Sequence, residues 1–373
     1  MHATPRAGPA PQFVFLDTDT FHSVAASLTY PFTAPPSPGE TLEVAPGVLW
    51  LRMPLPFALD HINLWLLREA AGYALVDTGY GDEATREQWE VHAGKLLKRH
   101  PLTRIVATHY HPDHLGNAAW LAQRYGVSVT MTVAEYLTAH AVHGGLAGHD
   151  VSDYCALFRA HGASDEHLQA MAARGNRYAQ GAPELPRAYV RMLPGTTVRM
   201  AGGEWRVIGG YGHSPEHAAL HSGERRVLIS GDMLLPRIST NVSVGPSEPG
   251  ADALGRFLDS IAAFESLPED TLVLPSHGLP FRGIATRVAA LREHHAARLG
   301  ELVDAVDAAT GPVSAASMLP VLFRRELDTQ QRFFAMGEAI AHLNHLVGTR
   351  TLERVIDDGG RVRFGRRVEA LAS

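Results

Sequence analysis

Residues 105–114, IVATHYHPDH, run from an apolar strand end straight into three histidines and an aspartate within six positions. The flanking chain reads as strand, helix, strand. YALVDTG (73–79) is strand-like, EATREQWEVHAGKLLKRH (83–100) spaces its apolar residues as a helix does, and LTRIVATHYH returns to strand. That order implies a layered α/β fold, with the cluster on the loop that leaves a buried strand.

Side chains of an extended segment alternate in direction, so His109, His111 and Asp113 are expected on one side and His114 on the other. One loop could then serve two metal ions. Imidazole and carboxylate suit zinc, and manganese and iron accept them too. Four ligands do not complete two sites, and three later strand ends offer more. RVIGGYGHSPEH (206–217) places His213 on a glycine-flanked turn, VLISGDML (227–234) places Asp232 after an apolar run and a glycine, and LVLPSHG (272–278) places His277 likewise. A carboxylate as short as that of Asp232 can bridge two ions ~3.5–4 Å apart. A lone loop histidine is usually only surface polarity, but the same arrangement at four strand ends is not.

Taken in order, HYHPDH, GHSPEH, SGDM and PSHG resemble the motif series of the metallo-β-lactamase superfamily, and LVDTG with Asp77 resembles its early structural motif. The resemblance spans roughly 45–285. It implies an αββα sandwich with a dinuclear site at the edge of two sheets. One metal would take His109, His111 and His213, and the other Asp113, His114 and His277, with Asp232 bridging. Asp77 would accept a hydrogen bond from a ligand histidine and fix its ring. Asp113 and Asp232 are the expected catalytic carboxylates. True β-lactamases of the superfamily usually depart from HxHxDH at its last residue and often use a zinc-binding cysteine. Here that residue is His114, and the single cysteine, Cys155, lies in no motif. GHSPEH is similar to a stretch of the glyoxalase II-like thioesterases, which would bring His217 near the site.

The organisation follows from these landmarks. Residues 1–40 read as a proline-rich irregular lead-in, 41–285 as the metallo-β-lactamase-like catalytic domain with a helical insertion at about 133–190, and 286–373 as a helical, winged-helix-like C-terminal domain. The hairpin of that last domain turns at Asp358-Gly359-Gly360. The insertion mixes aromatics and arginines, among them Tyr189 and Arg191, which are candidate substrate contacts. His294 and His295 in the tail could approach the site rim, although one packed and one solvated histidine is the commoner outcome.

The resemblance implies a dinuclear hydrolase in which metal-generated hydroxide attacks the carbonyl of a thioester, ester or lactone, with two zinc ions as cofactors or manganese or iron in their place. A small acyl molecule is the expected partner. A ribonuclease or phosphodiesterase would use the same ligands, and a non-catalytic sensor the same fold. A net charge of -6 and the lack of a basic, aromatic-laced strip argue against nucleic acid as a partner. No run approaches the ~18 apolar residues of a membrane span. The polar start MHATPRAGPAPQ shows no secretory pattern, so the cytoplasm is the expected location. The tail reads as a packing or dimerising module, which leaves a homodimer as an expectation.

Overall fold

The computed structural model describes residues 28–57 and 59–367. Most of the expected lead-in, 1–27, lies outside these residues. Its end packs on the fold, where Leu28 is buried and Thr29 bridges Arg282.

Two sheets form the middle of the molecule. The first has seven strands in sequence order: β1 (Leu42–Ala45), β2 (Val48–Pro54), β3 (His61–Glu69), β4 (Gly72–Val76), β5 (Leu102–Val106), β6 (Val129–Met131) and β7 (Val190–Arg191). Its early strands are antiparallel, and from β4 onward the pairing is parallel. The second sheet runs β12 (Leu272–Pro275), β11 (Val227–Gly231), β10 (His217–Ser222), β9 (Gly203–Gly210), β8 (Thr197–Met200). A small third sheet pairs β13 (Leu352–Ile356) with β14 (Val362–Arg366).

Side-chain alternation divides each strand between two cores. In β2 and β3, Trp50, Trp65 and Leu67 face the second sheet, where they meet Trp205, Val207, Leu220 and Ile229. Their neighbours Leu49, Leu51, Leu64 and Leu66 face outward. Because both faces are covered, these strands read as continuous apolar runs rather than as alternating ones. Fully burying each of the large side chains contributes on the order of 2–3 kcal/mol.

Helices cover both outer faces. On the first sheet lie α1 (Glu83–Gly94), α2 (Leu96–Arg99), α3 (Pro112–Leu115), α4 (Ala118–Tyr125) and α5 (Val133–His143). On the second lie α9 (Ala253–Ala262), α10 (Ile284–Ala308), α11 (Ala315–Leu322) and α12 (Thr329–Gly348). Three further helices, α6 (Val151–Ala160), α7 (Asp165–Arg174) and α8 (Tyr178–Gly181), stand between β6 and β7. The architecture is therefore an αββα sandwich followed by a helical tail and hairpin.

Two local expectations are corrected, and one strand is found that no sequence signal marked. The helix read over 83–100 breaks at Lys95, whose backbone leaves the helical region. HAALHS (217–222), which carries no strand signal of its own, is the central strand β10 of the second sheet, held by β9 and β11 on either side. Tertiary pairing there overrides the weak β-propensity of alanine and histidine. His294 and His295 are both buried, and His295 Nδ1 lies 3.2 Å from His342 Nε2, so neither histidine is solvated.

Several buried groups tie stability to pH. Burial, above all, lowers His161, His167 and His342 to about 4, with Arg354, Arg332 and His345 respectively adding repulsion. Their folded values lie below the usual 6.5, so stability is complete above that value and is lost as pH falls through 4. Glu338 behaves oppositely. Burial raises it to about 8 against a hydrogen bond from Asn241, so its contribution is complete below 4.5 and is lost as pH rises through 8. Thermal unfolding followed across pH 4–9 should give a maximum between these limbs. Glu338→Gln should flatten the alkaline limb, and an unchanged alkaline limb in that variant would refute this assignment.

Candidate metal centre

The sandwich gathers its strand ends along one edge. β5 leads through Ala107 and Thr108 into His109, β9 into His213, β11 into Asp232 and β12 into His277. Two of these junctions require glycine. Gly231 has φ +54°, and a Cβ there would sit 2.3 Å from His217 Nε2; Gly212 has φ +93°, and a Cβ there would sit 2.2 Å from the Ala253 carbonyl oxygen. The glycines that flagged these turns in the sequence are thus the residues that let the chain turn sharply before each ligand-type side chain.

Seven side chains on these strand ends and the loops that follow them converge as two groups, His109, His111, His213 and Asp232 in one, and Asp113, His114 and His277 in the other. His109 Nε2 lies 2.9 Å from His111 Nδ1 and 3.2 Å from His213 Nε2. In the second group, Asp113 Oδ2 lies 3.6 Å from His114 Nε2 and 3.5 Å from His277 Nε2. Asp232 spans both groups. Its Oδ2 is 3.4 Å from His213 Nε2, and its Oδ1 is 3.5 Å from both His114 Nε2 and His277 Nε2.

Strict alternation predicted Asp113 on the side of His109 and His111, and the structure corrects this. Pro112 opens the single helical turn α3, so Asp113 and His114 leave the extended path together and reach the second group side by side.

Four of the five histidine rings are oriented from behind. Asp77, at φ +61°, accepts from Thr108 N–H at 2.7 Å and lies 2.8 Å from His114 Nδ1. Thr108 Oγ1 is 3.0 Å from His109 Nδ1. The carbonyl oxygens of Asn241 and His61 accept from His213 Nδ1 and His277 Nδ1, both at 2.8 Å. Thr108, Asn241 and His61 were not foreseen. They act through backbone groups or a short hydroxyl, and no sequence pattern marks such contacts.

Charge divides the cluster. Burial and the neighbouring histidines hold His109 well below its usual range, and burial with His213 lowers His111 to about 3. Burial also opposes charge on His114 and His277, yet carboxylates prevail. Asp113, Asp77 and Asp232 hold His114 well above its usual range, and Asp232 with Asp113 raises His277 to about 9. Burial likewise works against ionisation of Asp232, but His114 and His277 hold it well below the carboxylate range. His114 Nε2 and Asp232 Oδ1 are buried without a hydrogen-bond partner among the described residues. A cation between the groups would satisfy both, so the donor set fits metal.

The remaining expected residues lie outside the cluster. His217 is fully buried beneath it, its ring 4.9 Å from that of His109, and its Nε2 accepts from Asp232 N–H at 3.3 Å. Tyr189 stacks on Tyr136 at 4.1 Å, and Arg191 is exposed on the edge strand β7. Cys155 and Phe158 belong to the core that α6 and α7 share with the tail helices, and Tyr154 packs on Phe333.

The family model described as "Metallo-beta-lactamase superfamily" matches residues 58–277, more than half of the chain. The chain belongs to that superfamily. A second model, "Metallo-beta-lactamase-like, C-terminal domain", matches residues 299–367. That places it in a superfamily of metallo-hydrolases, and the chain has a His/Asp cluster able to hold metal. A solved "Beta-lactamase domain protein" from Burkholderia ambifaria is similar at 46% identity and TM-score 0.86, over 92% of this chain and 100% of that one. A "Hydroxyacylglutathione hydrolase" of Halorhodospira halophila is 33% identical over 24% of this chain and 33% of its own length. An "Acyl-coenzyme A thioesterase MBLAC2" of Homo sapiens is 25% identical over 50% of this chain and 63% of its own length. The chain thus spans less than two thirds of either of these two enzymes. Among the described residues no helix is long and apolar enough to cross a membrane.

Proposed function

We propose that the chain hydrolyses a thioester of a small acyl group at a pair of metal ions, zinc being the ion its ligands suit best. The observation that carries this reading is Asp232, which turns one carboxylate oxygen toward His213 and the other toward His114 and His277. His109, His111 and His213 would hold one ion, and Asp113, His114 and His277 the other. When bound, such a pair makes water acidic enough to lose its proton near neutrality and polarises a carbonyl oxygen.

The chain's own residues do the rest. Asp113 orients the attacking water and accepts from it, while Asp77 and the carbonyl oxygens of Asn241 and His61 keep three rings fixed for the whole cycle. The thioester choice draws on the two relatives, whose names specify an acyl group carried on glutathione or coenzyme A. A groove of about 370 Å³ is lined by Phe57, Arg174, Arg177, Asp328 and Gln330, and its two arginines against one carboxylate suit a carrier with negative charge.

Thiol release from a panel of acyl-coenzyme A and acyl-glutathione thioesters tests this proposal. The purified, zinc-loaded protein should release thiol and should contain close to two ions per chain by elemental analysis, and His111→Ala should be inactive yet folded. Only trace metal after zinc addition, or full activity in that variant, would sink the mechanism. Silence across the panel with metal bound would transfer the assignment to lactones and oxygen esters, then to phosphodiesters.

A further inference from the structure

Four of the five histidines in the cluster have the ring nitrogen that faces away from the site held by a neighbour. The partners are Thr108 Oγ1, Asp77 and the carbonyl oxygens of Asn241 and His61. His111 is the exception. Its Nδ1 faces His109, and among the described residues its other ring nitrogen has no hydrogen-bond partner. What fixes His111 must therefore be its backbone.

That backbone is gripped by the helices between β6 and β7. Glu135 on α5 is fully buried, and its Oε2 accepts from the N–H of Tyr110, the residue between His109 and His111, at 2.8 Å. Its Oε1 accepts from Ser214 Oγ at 2.7 Å and from Glu216 N–H at 2.6 Å, on the loop that carries His213. The carbonyl of Tyr110 is held as well, by Tyr178 Oη on α8 at 2.7 Å. One carboxylate thus ties together the two loops that supply all three histidines of the first group.

We propose that Glu135 is a positioning residue that sets the spacing of His109, His111 and His213 and so the affinity of that group for its ion. The inference rests on the metal-hydrolase reading above. It also gives the inserted helices a role besides substrate choice, since α5 and α8 build part of the centre's support.

Glu135→Gln is a sharp probe because it nearly conserves volume. A glutamine presents one oxygen and one NH2. Whichever way it turns, one backbone N–H, that of Tyr110 or that of Glu216, must face another donor. One of the two ties is therefore broken. Loss of such an outer contact typically costs about 10–100-fold in metal affinity.

Zinc uptake against a chelator should be measured for Glu135→Gln in two backgrounds. In His277→Ala, which leaves the first group whole, the retained ion should bind about 10–100-fold more weakly. In His111→Ala, which leaves the second group whole, affinity should be unchanged. Ser214→Ala, which removes one donor and keeps the carboxylate, should give a smaller loss of the same selectivity and serves if the Gln variant folds poorly. Equal losses in both backgrounds would mark a merely structural role and overturn the proposal, as would no loss in either. Amide exchange in the metal-free protein separates this inference from the reading beneath it. Faster exchange confined to Tyr110 and Glu216 in Glu135→Gln supports the tie even if the unaltered chain takes up no zinc, and unchanged exchange removes the tie.

Discussion

Asp232→Asn should lower kcat/KM by at least ~10³-fold and leave the chain with no more than one firmly held ion. The effect is large because one small side chain serves both groups. Its Oδ2 stands 3.4 Å from His213 Nε2, and its Oδ1 stands 3.5 Å from His114 Nε2 and His277 Nε2. Asparagine keeps the shape and loses the function. It offers one acceptor, and its NH2 must point at one group or the other, where it repels a cation and cannot ligate it. Elemental analysis beside the thioester assay checks this directly. Two ions per chain with activity within tenfold of the unaltered protein would refute the bridging role.

The second large effect is expected at Asp77. Asp77→Asn should weaken metal binding at the group of Asp113, His114 and His277 by about 10–100-fold, with hydrolysis falling in parallel. Asparagine tolerates the left-handed backbone at φ +61°, so the turn itself survives. The chemistry does not. The Asp77 carboxylate accepts from Thr108 N–H at 2.7 Å and from His114 Nδ1 at 2.8 Å, which keeps a proton on Nδ1 and makes Nε2, aimed at the site, the nitrogen that would give up its proton to a metal ion. If the amide oxygen stays on Thr108 N–H, its NH2 faces His114 Nδ1. The ring must then move its proton to Nε2, the atom that would bind metal. Chelator titration with and without the substitution reads this out, and equal affinity in the two proteins would show that Asp77 does not set the tautomer.

Both substitutions concern residues legible in the sequence, Asp77 through the resemblance of LVDTG to a family motif and Asp232 through a local signal that the other ligands share. An apolar run, a small residue and then a ligand-type side chain recur at 105–114, 227–234 and 272–278. A strand buried on both faces must be apolar, and it can end on polar groups only where it leaves the sheet. The supporting residues left no comparable mark. Glu135 is one glutamate on an ordinary helix until Tyr110, Ser214 and Glu216 are brought to it from two other loops. Asn241 and His61 act through backbone carbonyl oxygens, which every residue possesses.

The sequence by itself determined which side chains could hold metal, that they stand at strand ends, and that the chain is a layered α/β protein. These follow from residue chemistry and from short periodicities. Only the tertiary structure decided that the ligands divide against strict strand alternation. The turn that starts at Pro112 sends Asp113 away from His109 and His111 and joins it to His277, more than a hundred and fifty residues later. It also decided that HAALHS is a central strand and that His217 lies beneath the centre. The physical reason is the same in each case. Such placements depend on contacts between segments distant in sequence, whose packing and hydrogen bonding outweigh the preference of any one stretch.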